Sequence, residues 1–491
     1  MASIAWTSPM SGTLRSVTGS SVSIAAAIAG SAPFLFPDTS MHPDVRQGPA
    51  TISSDMRSDS SLTQLIRPPT QPPRRTPIQY AGRTPLQPGT AEKSVVTPPC
   101  HRPHGRYIMP RLSNLSPSIH LRLHARLAMN TSAPLVTIIG AGMMGSAMSR
   151  PATDNGCRVH LVGTPLDRNI ISAVQASGHH PTLRAQLPEG VTAFQFEDVD
   201  AALAGSSLVI CGVSSFGVDW FTQEALPHLP AGMTLLSITK GLELGPDGAL
   251  TAFPHVWTRR RPDLHIAAVG GPCISFELLA ARHTLVHFVS DEPETAERCV
   301  KTLKTSYYHA LPATDVIAVE TAVALKNAYA CGVALAVGMA EAEVGITDAS
   351  GIAGATAAQT GAPDANPVYN PQAALFAQSC IEMRRIVTLL GGDGSFAGAI
   401  PGAGDLYVTV FGGRTRRLGT LLGRGLSYQE AQSVLNGVTL EAVAIIGRVA
   451  EALRQRAAHG QADLRQFPLI LHLDAIIRDD ARVDIPWEQF G

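Results

Sequence analysis

LVTIIGAGMMGSAM, residues 135–148, joins an apolar run to three glycines, at 140, 142 and 145, and then to residues that suit a helix. That order predicts a strand, a tight turn and a helix. Each glycine has a separate physical task in such a turn. Gly140 permits the reversal, Gly142 lets a phosphate come close to the backbone, and Gly145 lets the helix pack tightly on the strand. The amino end of the helix adds unpaired N–H groups and a partial positive charge, both favourable to an anion. A second apolar run, RVHLVG at 158–163, follows where the next strand of a βαβ unit belongs. Strand, glycines, helix and strand in this sequence imply bound NAD or NADP.

Selectivity between the two dinucleotides normally shows at the end of that second strand, as an acid for the ribose hydroxyls or an arginine for the extra phosphate. Val162, Gly163 and Thr164 stand there and carry neither signal. Asp167 and Arg168 follow, where a solvated helix start accounts for both. The choice stays open at this level.

Further out, SLVICGV (207–213), TLLSIT (234–239) and HIAAVGG (265–271) continue the apolar runs, with 168–177 and 216–228 long enough for crossover helices. The alternation predicts an α/β Rossmann domain with a doubly wound parallel sheet over 131–315. Beyond about Thr314 long stretches of Ala, Val, Leu, Glu and Arg at helical spacing predict an all-α domain over 316–491. An interruption at 343–371, rich in Gly, Ala, Thr and Asn, reads as a lid or mobile insertion.

Residues 1–130 are rich in Ser, Pro, Arg and Thr and have no helical or strand period, so a disordered extension is expected there. Its basic bias also resembles an organellar transit peptide, and the apolar stretch 22–36 imitates a signal peptide. Met129 stands where a compact enzyme would begin. What precedes it reads as a processed leader, a disordered tail or wrongly included coding sequence.

Composition narrows the classes. A formal net charge of −1 with 16% charged residues gives no field of the kind that holds nucleic acid. The 7 cysteines lie singly, without CxxC pairs or histidines at ligand spacing, which points to a reducing compartment and no metal. No stretch offers the roughly 18 uninterrupted apolar residues of a membrane helix, so a soluble, cytoplasmic protein without a membrane partner is expected.

Three sites can carry chemistry. Lys326 lies in ETAVALKNAYACGVALAVG (320–338), a helical run so poor in charge that burial is expected on most sides. Burial lowers a lysine pKa toward working pH, as proton transfer requires; the plainer reading is a packed stem with its head in water. Lys240 ends a strand in SITKGLEL (237–244), at the carboxyl edge where open α/β sheets bind ligands, although strand-end lysines often face solvent. The third site, IPGAGDLYVTVFGGRTRRLGTLLGRG (400–425), sets Asp405, Thr409, Arg414 and Arg416 among glycines. Arginine forks match phosphate or carboxylate oxygens, and glycines allow close backbone approach. A plain basic loop is the alternative.

The ordered set of the glycine fingerprint, KGLE at 240–243, GGPCISFE at 270–277, LKNAYACG at 325–332 and GAGDLYVTVFGGRTRRLG at 402–419 resembles the glycerol-3-phosphate dehydrogenase family, from about Leu135 to at least Ile446. The resemblance implies reversible NAD(P)H-dependent reduction of dihydroxyacetone phosphate to glycerol 3-phosphate, in a homodimer. It implies that Lys326 transfers the proton, that Lys240 is a second active-site lysine, and that Asp405 orients the catalytic ammonium. Asn327, Thr409, Arg414 and Thr415 match substrate-binding positions. Gly140, Gly142 and Gly145 match the cofactor loop, Ser215 and Phe216 the nicotinamide side, and Glu441 an acid near the cofactor. Thr415 stands where the family usually has asparagine, and Cys273 and Ser275 replace more usual small or amide residues. Two alternatives are a related dehydrogenase of another small anionic hydroxy compound and an inactive NAD(P)-binding sensor. A sensor would need only the glycine loop.

Overall fold

The apolar run before the glycines, Leu135–Ile139, forms a strand (β1) buried at every position. The computed structural model describes residues 133–350, 368–436 and 440–491. The extension before residue 133 and most of the interruption at 343–371 lie outside them. The strands that follow are β2 (Arg158–Val162), β3 (His179–His180), β4 (Ala185–Gln186), β5 (Val191–Phe194), β6 (Ser206–Cys211) and β7 (Thr234–Ser237). Then come β8 (Leu242–Leu244), β9 (Leu250–Ala252), β10 (His265–Gly270), β11 (Thr284–Val289) and β12 (Tyr308–Ala313).

Eight of these form one sheet in the order β12–β11–β10–β7–β6–β1–β2–β5, while β3–β4 and β8–β9 are separate hairpins. Alternation along each strand feeds a core on each face. Val136 and Ile138 enter one core and Ile139 the other; in β6, Leu208 and Ile210 enter the first, Val209 and Cys211 the second. The chain reverses at Gly140 and enters α1 (Met143–Ala147). The crossover from β2 is α2 (Arg168–Ser177), which Gly178 ends in a left-handed conformation.

The sheet is parallel-dominated, as expected, with two differences. β5, β11 and β12 join it although no long apolar run marks them, and β10 pairs with β11 antiparallel. β11 and β12 lie toward one edge, where half-exposed positions dilute the apolar signal and Pro312 is tolerated. The second expected crossover helix, 216–228, is instead a chain of short turns. It has 3₁₀ geometry at Ser215–Gly217, a π turn at Phe221–Ala225 and 3₁₀ again at Leu226–His228, where Pro227 withholds an N–H.

After β12 the described chain is helical: α3 (Val316–Glu343), α4 (Tyr369–Leu389), α5 (Asp405–Val410), α6 (Gly413–Gly423), α7 (Glu441–Ala458) and α8 (Pro468–Arg478), with a further helix at Tyr428–Val434 and short turns between. Asp315 starts α3 by accepting Ala318 N–H at 2.8 Å. By length and composition α3 could cross a membrane, but 89% of its most apolar window is buried inside the fold, which is the pattern of a core helix.

The glycine-rich stretch at 412–425 is therefore largely the helix α6, not a loop, and two of its glycines serve packing. A Cβ on Gly419 would lie 2.3 Å from Cys331 O, and one on Gly423 2.2 Å from Leu335 O; on the α3 side, one on Gly338 would lie 2.0 Å from Thr420 O. The two backbones touch because no side chain intervenes. Glu382, fully buried on α4, holds α8 in place by accepting Leu469 N–H at 2.8 Å and Ile470 N–H at 3.0 Å, with Tyr329 and Gln378 as further donors. A carboxylate at a helix amino end satisfies donors that would otherwise be orphaned in the core.

Candidate active site

The glycine loop has the geometry its residues imply. Gly140 takes φ +112°, and a Cβ there would lie 2.7 Å from the Gly212 carbonyl carbon. At Gly145 a Cβ would meet Gly140 O at 2.1 Å, whereas at Gly142 nothing stands within 4 Å. The turn and the helix contact exclude side chains, and the middle glycine opens onto free space, as a pyrophosphate would need. These residues fit a dinucleotide.

Two side chains brace this loop. Asp167 Oδ2 accepts from Ala141 N at 3.1 Å, Thr164 N at 2.9 Å and Thr164 Oγ1 at 2.8 Å. Its carboxylate ties the end of β2 to the glycines and is more than a solvated helix start. Buried His180 lies 2.9 Å from Ala141 O through Nε2 and accepts Leu183 N–H at 3.1 Å on Nδ1. Those partners require the neutral ring with its proton on Nε2. Desolvation holds its pKa down, which agrees.

The two lysines singled out in the sequence converge on Asp405, the first residue of α5 and 1% exposed. Its Oδ1 accepts from Lys326 Nζ at 2.8 Å, and its Oδ2 accepts from Lys240 Nζ. Lys326 comes from the core helix α3 and Lys240 from the carboxyl edge of the sheet just after β7. Lys326 also donates to Thr409 Oγ1 at 3.1 Å, and Thr409 sits one turn beyond Asp405 on the same helix face. Thr409 donates its own proton to Asp405 O at 2.6 Å, so toward Lys326 it is an acceptor. Lys240 further donates to Gly271 O at 3.2 Å.

Two ammonium groups share one carboxylate, and their pKa values move apart. Burial lowers Lys326, with Lys240 adding to the effect, and Asp405 does not fully offset it. Burial also acts against charge on Lys240, but there the charge and hydrogen bond of Asp405 prevail and the pKa is raised. Lys326 is the ammonium that gives up its proton more readily.

Lys326, Asp405 and Thr409 line a cleft of about 770 Å³, together with Met143 from the glycine-loop helix, Cys273 and Ser275, and Arg414 and Arg417 at the start of α6. Lys240 stands behind Asp405. Thr415 is not among the residues lining the cleft, unlike its neighbour Arg414. Asn327, Ser215 and Glu441 form a separate polar bridge: Glu441 accepts from Asn327 Nδ2 at 3.2 Å and from Ser215 Oγ at 3.4 Å. Phe216, beside Ser215, is half exposed.

Sequence reasoning did not single out His180, Arg184, Arg417 or Glu320. Arg184 and Arg417 line the cleft. Glu320 lies fully buried on α3 with no hydrogen-bond partner on either oxygen among the described residues. Desolvation pushes its pKa up to about 8 against the opposing charge of Lys240. The Glu in ETAVALK was the available signal, an acid in an otherwise apolar helix.

Residues 135–296 match the family model described as NAD-dependent glycerol-3-phosphate dehydrogenase N-terminus, and residues 315–487 the one described as its C-terminus. The NADP(+)-dependent glycerol-3-phosphate dehydrogenase of Archaeoglobus fulgidus is 34% identical over 304 residues, covering 61% of this chain and 83% of that protein. Glycerol-3-phosphate dehydrogenase [NAD(P)+] of Myxococcus xanthus is 26% identical over 291 residues, 59% of this chain and 78% of its own. In fold, the crystal structure of glycerol-3-phosphate dehydrogenase from Coxiella burnetii superposes with a TM-score of 0.57 at 22% identity, covering 73% of this chain and 97% of that one.

Proposed function

This chain belongs to the NAD-dependent glycerol-3-phosphate dehydrogenase family, and on that premise we propose how its residues divide the work. It is an NAD(P)-dependent oxidoreductase that reduces dihydroxyacetone phosphate to glycerol 3-phosphate reversibly. The observation that carries the assignment of roles is Asp405 gripped by two lysines at the wall of a cleft that also holds Arg414.

Gly140, Gly142 and Gly145 hold the cofactor, braced by Asp167 and His180, and Ser215, Phe216 and Glu441 lie on its nicotinamide side. When bound, NAD(P)H supplies the hydride. Lys326 Nζ gives a proton to the substrate oxygen as charge develops there. Asp405 aims that ammonium, Thr409 accepts its second hydrogen bond, and Lys240 holds the other oxygen of the Asp405 carboxylate in place. Arg414 holds the substrate phosphate, aided by the amino end of α6. Fixing the far end of a small substrate orients the reacting carbon, a large share of the rate gain open to such a site. Asn327 acts through Glu441 to set the position of its neighbour Lys326. Thr415 takes a secondary part, since it lies off the cleft lining.

The experiment that tests this reading is turnover of dihydroxyacetone phosphate by the purified protein with NADH and with NADPH. Oxidation of either cofactor supports it, and the ratio of the two kcat/KM values gives the preference. No turnover with either sinks it. We propose further that the enzyme is a cytoplasmic homodimer without nucleic-acid or membrane partners. The balanced charge and the family resemblance support this, and light scattering on the purified protein tests the stoichiometry.

A further inference from the structure

Arg184 has no part in the chemistry above, yet it lines the same cleft. It stands in the turn between β3 and β4 with φ +53°, a left-handed backbone that a side chain bearing Cβ adopts only at a steric cost. The turn is firmly held. His180 ties it to the glycine loop through Ala141 O, and Leu187 N–H bonds to Gly178 O at 2.9 Å across the base of the hairpin. A strained arginine on an anchored turn beside a functional cleft calls for a use of the side chain.

The electrostatics indicate which use. The charged residues lining the cleft are Arg184, Lys326, Asp405, Arg414 and Arg417, and the single carboxylate is already bonded to two ammonium groups. The guanidinium of Arg184 makes no hydrogen bond or ion pair with any described residue. A planar fork of N–H donors with no acceptor among the described residues suits phosphate oxygens.

We propose that Arg184 is a further phosphate-binding residue of this cleft, reaching from the β3–β4 turn toward an oxyanion that Arg414 approaches from the helical side. The proposal rests on the reading that the cleft holds dihydroxyacetone phosphate and NAD(P)H. The substrate phosphate and the cofactor pyrophosphate share the chemistry that Arg184 recognises. The binding constants tell them apart.

Arg184→Gly tests it in the full-length enzyme, because glycine takes φ +53° freely and the turn keeps its shape. The expected melting temperature is equal to or above that of the wild type. If the substrate phosphate is the ligand, KM for dihydroxyacetone phosphate rises about tenfold and the Kd for NAD(P)H stays fixed. If the pyrophosphate is the ligand, the Kd rises about tenfold instead. Arg184→Gln, which keeps Cβ and the stem, is expected to match Arg184→Gly in these constants and carries the test should the glycine variant melt early. Both constants within twofold of wild type in a folded variant overturn the role of Arg184. Wild-type turnover is read in the same assay, so its absence overturns the reading of the cleft itself, separately from Arg184.

Discussion

At the scale of single residues, Lys326 carries the clearest consequence. Its pKa is lowered chiefly by burial. In the proposed mechanism reduction uses the ammonium and oxidation the free amine, so the two directions respond to pH with opposite sign. Dihydroxyacetone phosphate reduction is expected to fall as pH rises through a pKa below the ordinary lysine value, while glycerol 3-phosphate oxidation rises over the same interval. Profiles of kcat/KM in both directions check this, and parallel profiles would remove Lys326 from the role. Lys326→Ala is expected to lower kcat at least about a thousandfold and leave the Kd for NAD(P)H within a few-fold, as read by fluorescence titration. Glu320 makes a different prediction, about stability. Its carboxyl keeps a proton up to about pH 8 in the folded chain but only to about 4.5, its ordinary value, when unfolded. Between those values the folded state holds more protons, so this group's contribution to stability falls as pH rises, by at most about 1.4 kcal/mol per unit. Urea unfolding at pH 6 and pH 8 is expected to show a smaller loss for Glu320→Gln than for wild type. Equal losses would mean that Glu320 ionises normally.

At the scale of elements, the contact of α3 with α6 sets the position of Lys326 relative to Arg414. α3 carries Lys326 and α6 begins with Arg414, and the two meet backbone to backbone at Gly338, Gly419 and Gly423. Gly419→Ala places a methyl 2.3 Å from Cys331 O, an atom that cannot move without its helix. The variant is expected to lose about 3 kcal/mol in urea unfolding and to raise KM for dihydroxyacetone phosphate as α6 shifts. Substitution at Gly460, where a Cβ would meet nothing within 4 Å, offers a comparison away from the helix contact; its φ of +70° makes Asn the suitable residue there. The glycines of 412–425 read as loop glycines because composition alone cannot distinguish a glycine that turns the chain from one that lets two helices touch. β5, β11 and β12 escaped for a related reason, since their partly exposed positions weaken the apolar run expected of a buried parallel strand.

At the scale of the whole molecule, the sheet and the helices cooperate through a few long-range polar contacts. Glu441 bonds Ser215, beyond the end of β6, and Asn327, on α3. Glu441→Ala removes both contacts and is expected to lower kcat/KM about tenfold with a smaller effect on melting temperature, whereas Glu441→Gln, able to accept one of the two, should recover part of the loss. Steady-state kinetics of the pair check this; identical kinetics in all three proteins would leave Glu441 outside the site. Features that depend on neighbours along the chain are legible before it folds. A strand that must turn at once into a helix needs Gly140, and a helix as apolar as α3 must be buried, taking Lys326 with it. Which distant groups meet depends on packing. Lys240 and Asp405 are 165 positions apart and Ser215 and Glu441 are 226 apart, and nothing local encodes such a pairing. The same limit explains why sequence reasoning passed over Arg184, whose hairpin is tied to the glycine loop only in the folded chain. Side-chain chemistry is legible one residue at a time, but the charge balance of a cleft belongs to surfaces that exist only once the chain has packed.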